Sequence, residues 1–377
     1  MPALPRVLLD ATSIPPSRGG VARFLAGLLS GLDELGAPID VVVKAEDLDF
    51  LRHEAPGHRY HLAPRVVSRR AARLVWEQIA LPRLARRLRA GVIHSPHYTF
   101  PLAAAGRCLV TVHDATFFSD PAAHSRLKGL FFRTWTRLAV RRAGDLVAVS
   151  RTTADEVLRR AGGKGRRVAV AHLGVDGSVF HPPTDSEIGD LRTAVGLRSG
   201  EEYLAFLGTI EPRKNVPALI SAVRALRAAD PSAPRLVLSG SRGWDAEASR
   251  LLDDPAVRQD VVEAGYLPIG SLHALLGGAT VVVYPSLGEG FGLPVLEAMA
   301  CASPVLTTRR LSIPEVGGDA VEYSEPDALS LERALSSLLG DRARRAELSA
   351  AARERSAEFT WTACSAVYVE RYTAVAA

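Results

Sequence analysis

The feature that most restricts the fold of this chain is an alternation that runs its course and then starts again. Short runs rich in valine and leucine occur at Val7 to Asp10, Val41 to Val43, Val92 to His94, Leu109 to His113, Leu146 to Ser150 and Val168 to His172. Longer stretches with apolar residues at helical spacing lie between them. Runs that are apolar throughout read as strands buried on both faces, as in a parallel sheet covered by helices on either side. A second set follows at Tyr203 to Gly208, Leu236 to Ser239, Val261 to Ala264, Val281 to Tyr284 and Val305 to Thr307. Between the sets lies FHPPTDSEIGD, where Pro182 and Pro183 stop any helix and the polar residues after them suit an exposed linker. At 377 residues the chain also exceeds what one core usually serves. The pattern predicts an α/β protein of two doubly wound domains, 1–181 and 182–358, with ligands at the carboxyl ends of the strands in an interdomain cleft. In the tail FTWTACSAVYVERYTAV, apolar residues recur at helical spacing at Trp361, Cys364, Val367, Val369 and Tyr372. Residues 359–377 are read as a closing helix that packs back on the first domain.

Composition removes several classes of function. No apolar run approaches the ~20 residues needed to span a bilayer. Met1 and Pro2 lead almost at once into Val7 to Leu9, without the regions of a signal peptide, so a cytoplasmic protein is expected. Cys108, Cys301 and Cys364 form neither a C-x-x-C pair nor a zinc pattern and are read as reduced and structural. The net charge of +5 is unevenly spread. Segment 59–89 holds nine arginines and one acid, Glu77; segment 126–142 holds six basic residues, no acid, and the apolar group Leu130, Phe131, Phe132 and Trp135. Basic and aromatic residues together fit an interfacial helix on anionic lipid, which would place the protein on the inner face of the cell membrane. The other reading is a solvated arginine-rich face over a buried aromatic core. Neither segment carries a recognised nucleic-acid module, so no nucleic acid is expected as a partner.

The loops after the strands carry the chemistry. In YPSLGEGFGLPVLEAMA, residues 284–300, Gly288, Gly290 and Gly292 leave backbone amides uncovered at the start of a helix, so an anionic or hydroxyl-rich ligand can approach. Glu297 is placed on the first turn of that helix and Glu289 in the loop before it. Ionised carboxylates only accept hydrogen bonds, which suits the paired hydroxyls of a ribose or hexose. An isolated glutamate here would more often complement the helix dipole or be solvated. Two of them flanking three glycines make a stronger pattern.

The stretch EGFGLPVLE resembles the E-x7-E signature of the retaining, GT-B-fold, family-4 glycosyltransferases, which carry the glycosyl transferases group 1 domain. The resemblance implies two Rossmann-like domains and assigns roles by position. Glu289 would contact hydroxyls of the transferred sugar and Glu297 the ribose of the nucleotide, while amides of Gly290, Phe291, Gly292 and Leu293 would meet sugar and phosphates. GTIEPRKN, residues 208–215, is similar to the diphosphate-binding motif, with Gly208 at its start and Lys214 at the position of its lysine. Many members have an arginine directly after the glycine, where this chain has Thr209, which leaves Arg213 and Lys214 as the phosphate cations. VTVHDATFF resembles the segment whose histidine reaches the transferred sugar, here His113, with Asp114 structural or on the acceptor side. Gly19 and Gly20 match the N-terminal glycine loop, and their spacing is not a G-x-G-x-x-G dinucleotide fingerprint. Tyr266 and Leu267 fall where the family meets the base, and Gly240 where it approaches the nucleotide. Echoes such as WEQIALP, HSPHYTFP, LGVDGSVFHP and LSGSRGW extend the similarity along nearly the whole chain.

The reaction implied is transfer of a hexose from a nucleoside diphosphate sugar to a hydroxyl acceptor with retained anomeric configuration. No metal or other cofactor is expected. The motifs are closest in flavour to mannosyl- or rhamnosyl-transferring members, which points to GDP-mannose as donor and to a glycan or lipid-linked saccharide of cell-surface polysaccharide or glycolipid assembly as acceptor. A sugar phosphorylase, a sugar-nucleotide epimerase on the same fold, or a catalytically silent sugar-nucleotide-binding subunit are the alternatives.

Overall fold

The structure, a computed structural model, describes residues 4–15, 19–119, 126–163 and 165–377. The side chain of Arg126, at the start of the second basic segment, and residues 16–18 of the first glycine loop lie outside the description. The chain forms two compact units, Met1–Gly174 with Phe359–Ala377, and Val175–Glu358.

The first unit holds β1 (Val7–Asp10), β2 (Asp40–Val43), β3 (Arg59–Leu62), β4 (Val92–Ser95), β5 (Cys108–Val112), β6 (Asp145–Ala148) and β7 (Ala169–Val170). Their order is β3-β2-β1-β4-β5-β6-β7, and every pairing is parallel. The second unit holds β8 (Tyr203–Leu207), β9 (Arg235–Ser239), β10 (Val261–Gly265), β11 (Val281–Tyr284), β12 (Val305–Thr307) and β13 (Glu322–Tyr323), in the parallel order β10-β9-β8-β11-β12-β13. Strand order reverses beside β1 in one sheet and beside β8 in the other. Each reversal opens a crevice at the carboxyl edge, because the helices on either side of it pack on opposite faces.

The central strands are mainly apolar and buried from end to end, as in Val-Leu-Leu-Asp of β1 and Tyr-Leu-Ala-Phe-Leu of β8. Two strands escaped the sequence reading. β3 is Arg-Tyr-His-Leu with both ends exposed, and β13 has only two half-buried residues. Both are edge strands, where polar and short sequences are favoured because they discourage further pairing.

The helix Trp361–Ala376 starts at Thr360, whose Oγ1 accepts from the Ala363 amide at 3.1 Å. It crosses the helix Gly20–Glu34 where glycine makes room. A Cβ on Gly27 would lie 2.0 Å from the Trp361 ring, and one on Gly31 would lie 2.4 Å from the Trp361 carbonyl. Its buried side chains are Cys364, Ser365, Tyr368 and Tyr372. Of the residues read from sequence, Cys364 and Tyr372 are buried while Trp361, Val367 and Val369 are half-buried; Tyr368 goes inward instead, where its hydroxyl finds Thr111 Oγ1 at 3.0 Å. Tyr372 Oη likewise meets His94 Nδ1 at 2.8 Å, and His94 Nε2 meets Thr111 Oγ1 at 2.8 Å. Burial thus comes with polar partners, as a buried hydroxyl or imidazole needs.

The first basic segment runs from β3 into the helix Arg70–Arg87, and the second is the helix Arg126–Arg142. Phe132 and Trp135 pack against the core of the first unit, whereas Leu127, Leu130 and Phe131 are 81%, 54% and 38% exposed. The aromatic group read as one interfacial set is therefore divided between core and surface. Among the described residues no helix is long and apolar enough to cross a membrane.

Candidate active site

The second unit brings together two loops that flank the reversal of strand order: the one after β8, and the one after β11. The first passes through a short 3-10 turn, Pro212–Lys214, and enters the helix Val216–Ala229 at Asn215, which has a left-handed backbone (φ +58°). Asn215 Nδ2 donates to Pro326 O at 2.7 Å and to Pro285 O at 3.3 Å, and the Leu287 amide donates to Arg213 O at 2.8 Å. The bonds to Pro285 and from Leu287 stitch the two loops to each other, and the bond to Pro326 ties the first to the turn after β13. From the next strand end, Thr308 Oγ1 donates to Ser286 O at 2.6 Å and Ser312 Oγ to Glu289 O at 2.7 Å.

Within this frame Glu289, only 7% exposed, is the centre of a charged cluster. Its Oε1 receives Lys214 Nζ at 2.7 Å, Ser286 Oγ at 2.6 Å and Tyr284 Oη at 3.0 Å. Its Oε2 receives Arg213 Nη1 at 2.5 Å. Arg213 also donates to Glu211 Oε1 at 2.7 Å and to Gly288 O at 2.8 Å, and Lys214 donates to Tyr284 Oη. Burial alone pushes the Glu289 carboxyl up, but Arg213 and Lys214 outweigh it and hold the group at about 2. Burial lowers Lys214, opposed by the Glu289 charge. Burial, and next the Glu289 charge, raise Tyr284 well above the ordinary phenol value, so its hydroxyl keeps its proton.

Arg213, Lys214 and Glu289, read from sequence as separate phosphate and sugar contacts, are thus one ion-paired group. Glu211, Tyr284 and Ser286 belong to it, Ser312 holds the Glu289 backbone, and none of the four was among the sequence candidates. Tyr284 and Ser286 sat inside the stretch YPSLGEGFG, but side-chain hydroxyl direction is not a property of spacing.

The helix after the second loop is Leu293–Ala300, with Gly292 at its N-cap in a backbone of φ +105° that glycine adopts without strain. Leu293 is its first residue and Pro294 its second, so Glu297 is the fifth and lies on the second turn. This corrects the first-turn placement: the helix begins one residue before the proline. Glu297 is 2% exposed, and Gly290, Phe291 and Gly292 are buried, with Leu293 half-buried.

Three glycines end the three strands on the other side of the reversal. Gly208 (φ +151°), Gly240 (φ +138°) and Gly265 (φ +66°) form a stair in which the Gly208 amide donates to Ser239 O at 2.9 Å and the Gly240 amide to Gly265 O at 2.7 Å. A Cβ on Gly240 would lie 2.1 Å from Gly208 O, so no other residue fits there without moving backbone. Thr209 is exposed, Tyr266 is 69% exposed on the turn after β10, and Leu267 is half-buried.

In the first unit, His113 follows β5, and its Nε2 lies 2.7 Å from Pro96 O. Phe24, from the helix that starts at Gly20, meets its ring edge-on at 4.7 Å between centroids. Burial pulls the imidazole below its usual value, opposed by the Pro96 carbonyl and Asp114. Asp114 turns back on its own loop, its Oδ1 accepting from Thr116 N at 3.2 Å and Thr116 Oγ1 at 3.0 Å. Gly19 caps that first helix without a side-chain bond, and Gly20 is its exposed first residue.

Known proteins share this organisation. Residues 18–178 match the Glycosyltransferase Family 4 domain and residues 187–355 the Glycosyl transferases group 1 domain. The chain is 29% identical over 283 residues to O-antigen chain mannosyltransferase B of Escherichia coli, covering 74% of each chain. Among solved structures it is similar to sucrose-phosphate synthase (tll1590) from Thermosynechococcus elongatus, with a TM-score of 0.77 at 20% identity over 98% of both chains. Anabaena Alr3699/HepE in complex with UDP and glucose has a TM-score of 0.76 at 18% identity over 98% of this chain and 99% of its own. With both domain models matched in sequence and both sheets wound as in these structures, the chain belongs to the GT-B-fold glycosyltransferases of family 4, the bearers of the group 1 domain.

Proposed function

We propose that this glycosyltransferase takes mannose from GDP-mannose and transfers it, with retention at the anomeric carbon, to a hydroxyl of a glycan or lipid-linked saccharide in surface-polysaccharide assembly. The observation that carries the proposal is the cluster of Glu289, Arg213 and Lys214 at the reversal of strand order in the second unit, where open α/β sheets bind their ligands. The mannosyl donor is supported by the relative named O-antigen chain mannosyltransferase B and by further relatives named Serotype-specific mannosyltransferase WbdA.

In this reading the diphosphate draws on the charges of Arg213 and Lys214 and on loop amides from Gly290 to Leu293. Glu289 takes a sugar hydroxyl, Glu297 the ribose, and Tyr266 with Leu267 the base. Gly208, Thr209 and Gly240 let the diphosphate lie close to the backbone, and His113 with the Gly19–Gly20 loop serves the sugar and acceptor side. As the anomeric carbon–oxygen bond breaks, its electron pair goes to the leaving diphosphate, where fixed cations stabilise the developing charge. The acceptor oxygen bonds the same carbon from the same face, and its proton goes to a leaving phosphate oxygen. No step is assigned to a metal, so turnover is expected to survive EDTA. Thermal shift with GDP-mannose, UDP-glucose, ADP-glucose and dTDP-rhamnose tests the donor, because a ligand of the folded state raises its melting temperature. GDP-mannose is expected to give the largest shift; a larger one from another nucleotide sugar reassigns the donor, and no shift with any of them defeats the reading.

The proposal extends to location. Leu127, Leu130 and Phe131 are exposed on a helix that also carries exposed Arg137, Arg141 and Arg142, a combination suited to anionic headgroups over acyl chains. Co-sedimentation with phosphatidylglycerol vesicles at low salt is the expected result. Recovery of all protein in the supernatant removes this part of the proposal.

A further inference from the structure

The donors around Glu289 are distributed unequally between its two oxygens. A carboxylate has about four lone-pair directions, two on each oxygen. Oε1 already meets three donors: Lys214 Nζ at 2.7 Å, Ser286 Oγ at 2.6 Å and Tyr284 Oη at 3.0 Å. Oε2 meets one, Arg213 Nη1 at 2.5 Å. The protons can be assigned. Lys214 has donors only, and it donates to Tyr284 Oη, so the single phenolic proton is left for Glu289. Ser286 Oγ lies 3.1 Å from Arg213 O and 3.3 Å from Gly288 O, both longer than its contact with the carboxylate, so its proton goes to Oε1 as well.

We infer that Tyr284 and Ser286 are positioning residues for the donor sugar: with Lys214 they saturate Oε1 of Glu289 and leave Oε2, which meets Arg213 alone, as the single acceptor for a sugar hydroxyl. This rests on the proposed role of Glu289 toward the transferred sugar. It adds that the carboxylate reads one hydroxyl through one oxygen rather than bridging a pair. The Tyr284 ring is 1% exposed and stacks on Phe206 with centroids 5.9 Å apart, so the phenol has a fixed direction to give. Thr307 Oγ1 holds the carbonyl of the same residue at 2.8 Å.

Calorimetric titration of Tyr284→Phe, Ser286→Ala and Glu289→Ala with GDP-mannose and with GDP alone tests the inference, repeated with UDP-glucose and UDP. Tyr284→Phe keeps the ring stack and removes only the hydroxyl; Ser286→Ala is an independent second variant. Both are expected to weaken the sugar nucleotide about tenfold, the scale of one hydrogen bond to a charged group, while the bare nucleotide keeps its affinity within about twofold. A merely structural role would weaken both ligands together, and that result overturns the inference. So does unchanged sugar-nucleotide affinity in Tyr284→Phe and Ser286→Ala while Glu289→Ala loses it. If Glu289→Ala itself binds the sugar nucleotide normally, the sugar role of Glu289 falls and this inference falls with it.

Discussion

Lys214 Nζ sits 2.7 Å from Glu289 Oε1, closing an ion pair between two residues 75 positions apart in sequence. Both are buried, at 8% and 7% exposure, so neither charge is well served by water. The pair joins the loop that would hold phosphate to the loop that would hold sugar. A change on one is therefore felt by the other.

Removing one partner leaves the second charge buried and uncompensated. Lys214→Met and Glu289→Ala are each expected to destabilise the protein by about 3 kcal/mol, while the double variant loses less than the sum. Chemical denaturation of the four proteins of this cycle measures the coupling. Additive losses would show that Arg213 alone suffices for Glu289.

Glu297→Ala is expected to weaken the bare nucleotide about a hundredfold, as a pair of charge-assisted hydrogen bonds to a ribose would be lost. Glu289→Ala should leave the bare nucleotide bound and abolish most turnover. Calorimetry on both variants separates the roles, and unchanged nucleotide affinity in Glu297→Ala would remove it from the ribose.

Gly240→Ala puts a Cβ 2.1 Å from the Gly208 carbonyl, in a backbone of φ +138° that other residues rarely adopt. The two strand ends must separate. A loss of about 2 kcal/mol in stability and a marked loss of nucleotide affinity are expected. A variant with native stability and affinity would show that the strand ends yield freely.

Gly27→Ala places a methyl 2.0 Å from the Trp361 ring and is expected to lift the C-terminal helix from the helix Gly20–Glu34. A destabilisation of about 2 kcal/mol, with faster amide exchange between residues 361 and 376, is the outcome to look for. Gly36→Ala, although that backbone is left-handed, meets no atom within 4 Å and should leave exchange in the C-terminal helix unchanged.

The tie between that helix and the first sheet is expected to be sensitive to acid. Burial, with a smaller part from His113, pushes the His94 imidazole down to about 3 from 6.5. A basic group depressed on folding is neutral in the native state and takes up a proton in the unfolded one. Stability is therefore whole above pH 6.5 and falls toward pH 3, with a slope near 1.4 kcal/mol per pH unit from this group. Denaturation midpoints between pH 7 and 4 should drop more steeply for the native chain than for His94→Gln. Parallel curves would mean that His94 is not the acid-sensitive member.

Much of the architecture was written locally. β8 and β11 are apolar throughout, and β1 up to its last residue, Asp10, because both their faces are covered, and such runs stand out against the amphipathic helices between them. The glycine loop at 288–292 and the Pro212–Lys214 turn were legible for the same reason: they follow buried strands. β3 and β13 were not legible, since an edge strand needs only one neighbour and can be short or polar. Glu297 was misplaced by one residue, from the end of the first turn to the start of the second, because a proline fits the second helical position as well as the first.

The sequence by itself determined that two parallel sheets form, where each is interrupted, and which residue types stand at those interruptions, because burial acts residue by residue and leaves a periodic trace. Only the tertiary structure decided that β8 and β11 are neighbours, and hence that Arg213 and Lys214 meet Glu289 instead of standing apart from it. It also decided that Tyr284 and Ser286 spend their protons on the same carboxylate oxygen. Strand order and hydroxyl direction depend on which surfaces pack together across the fold, and no local pattern records them.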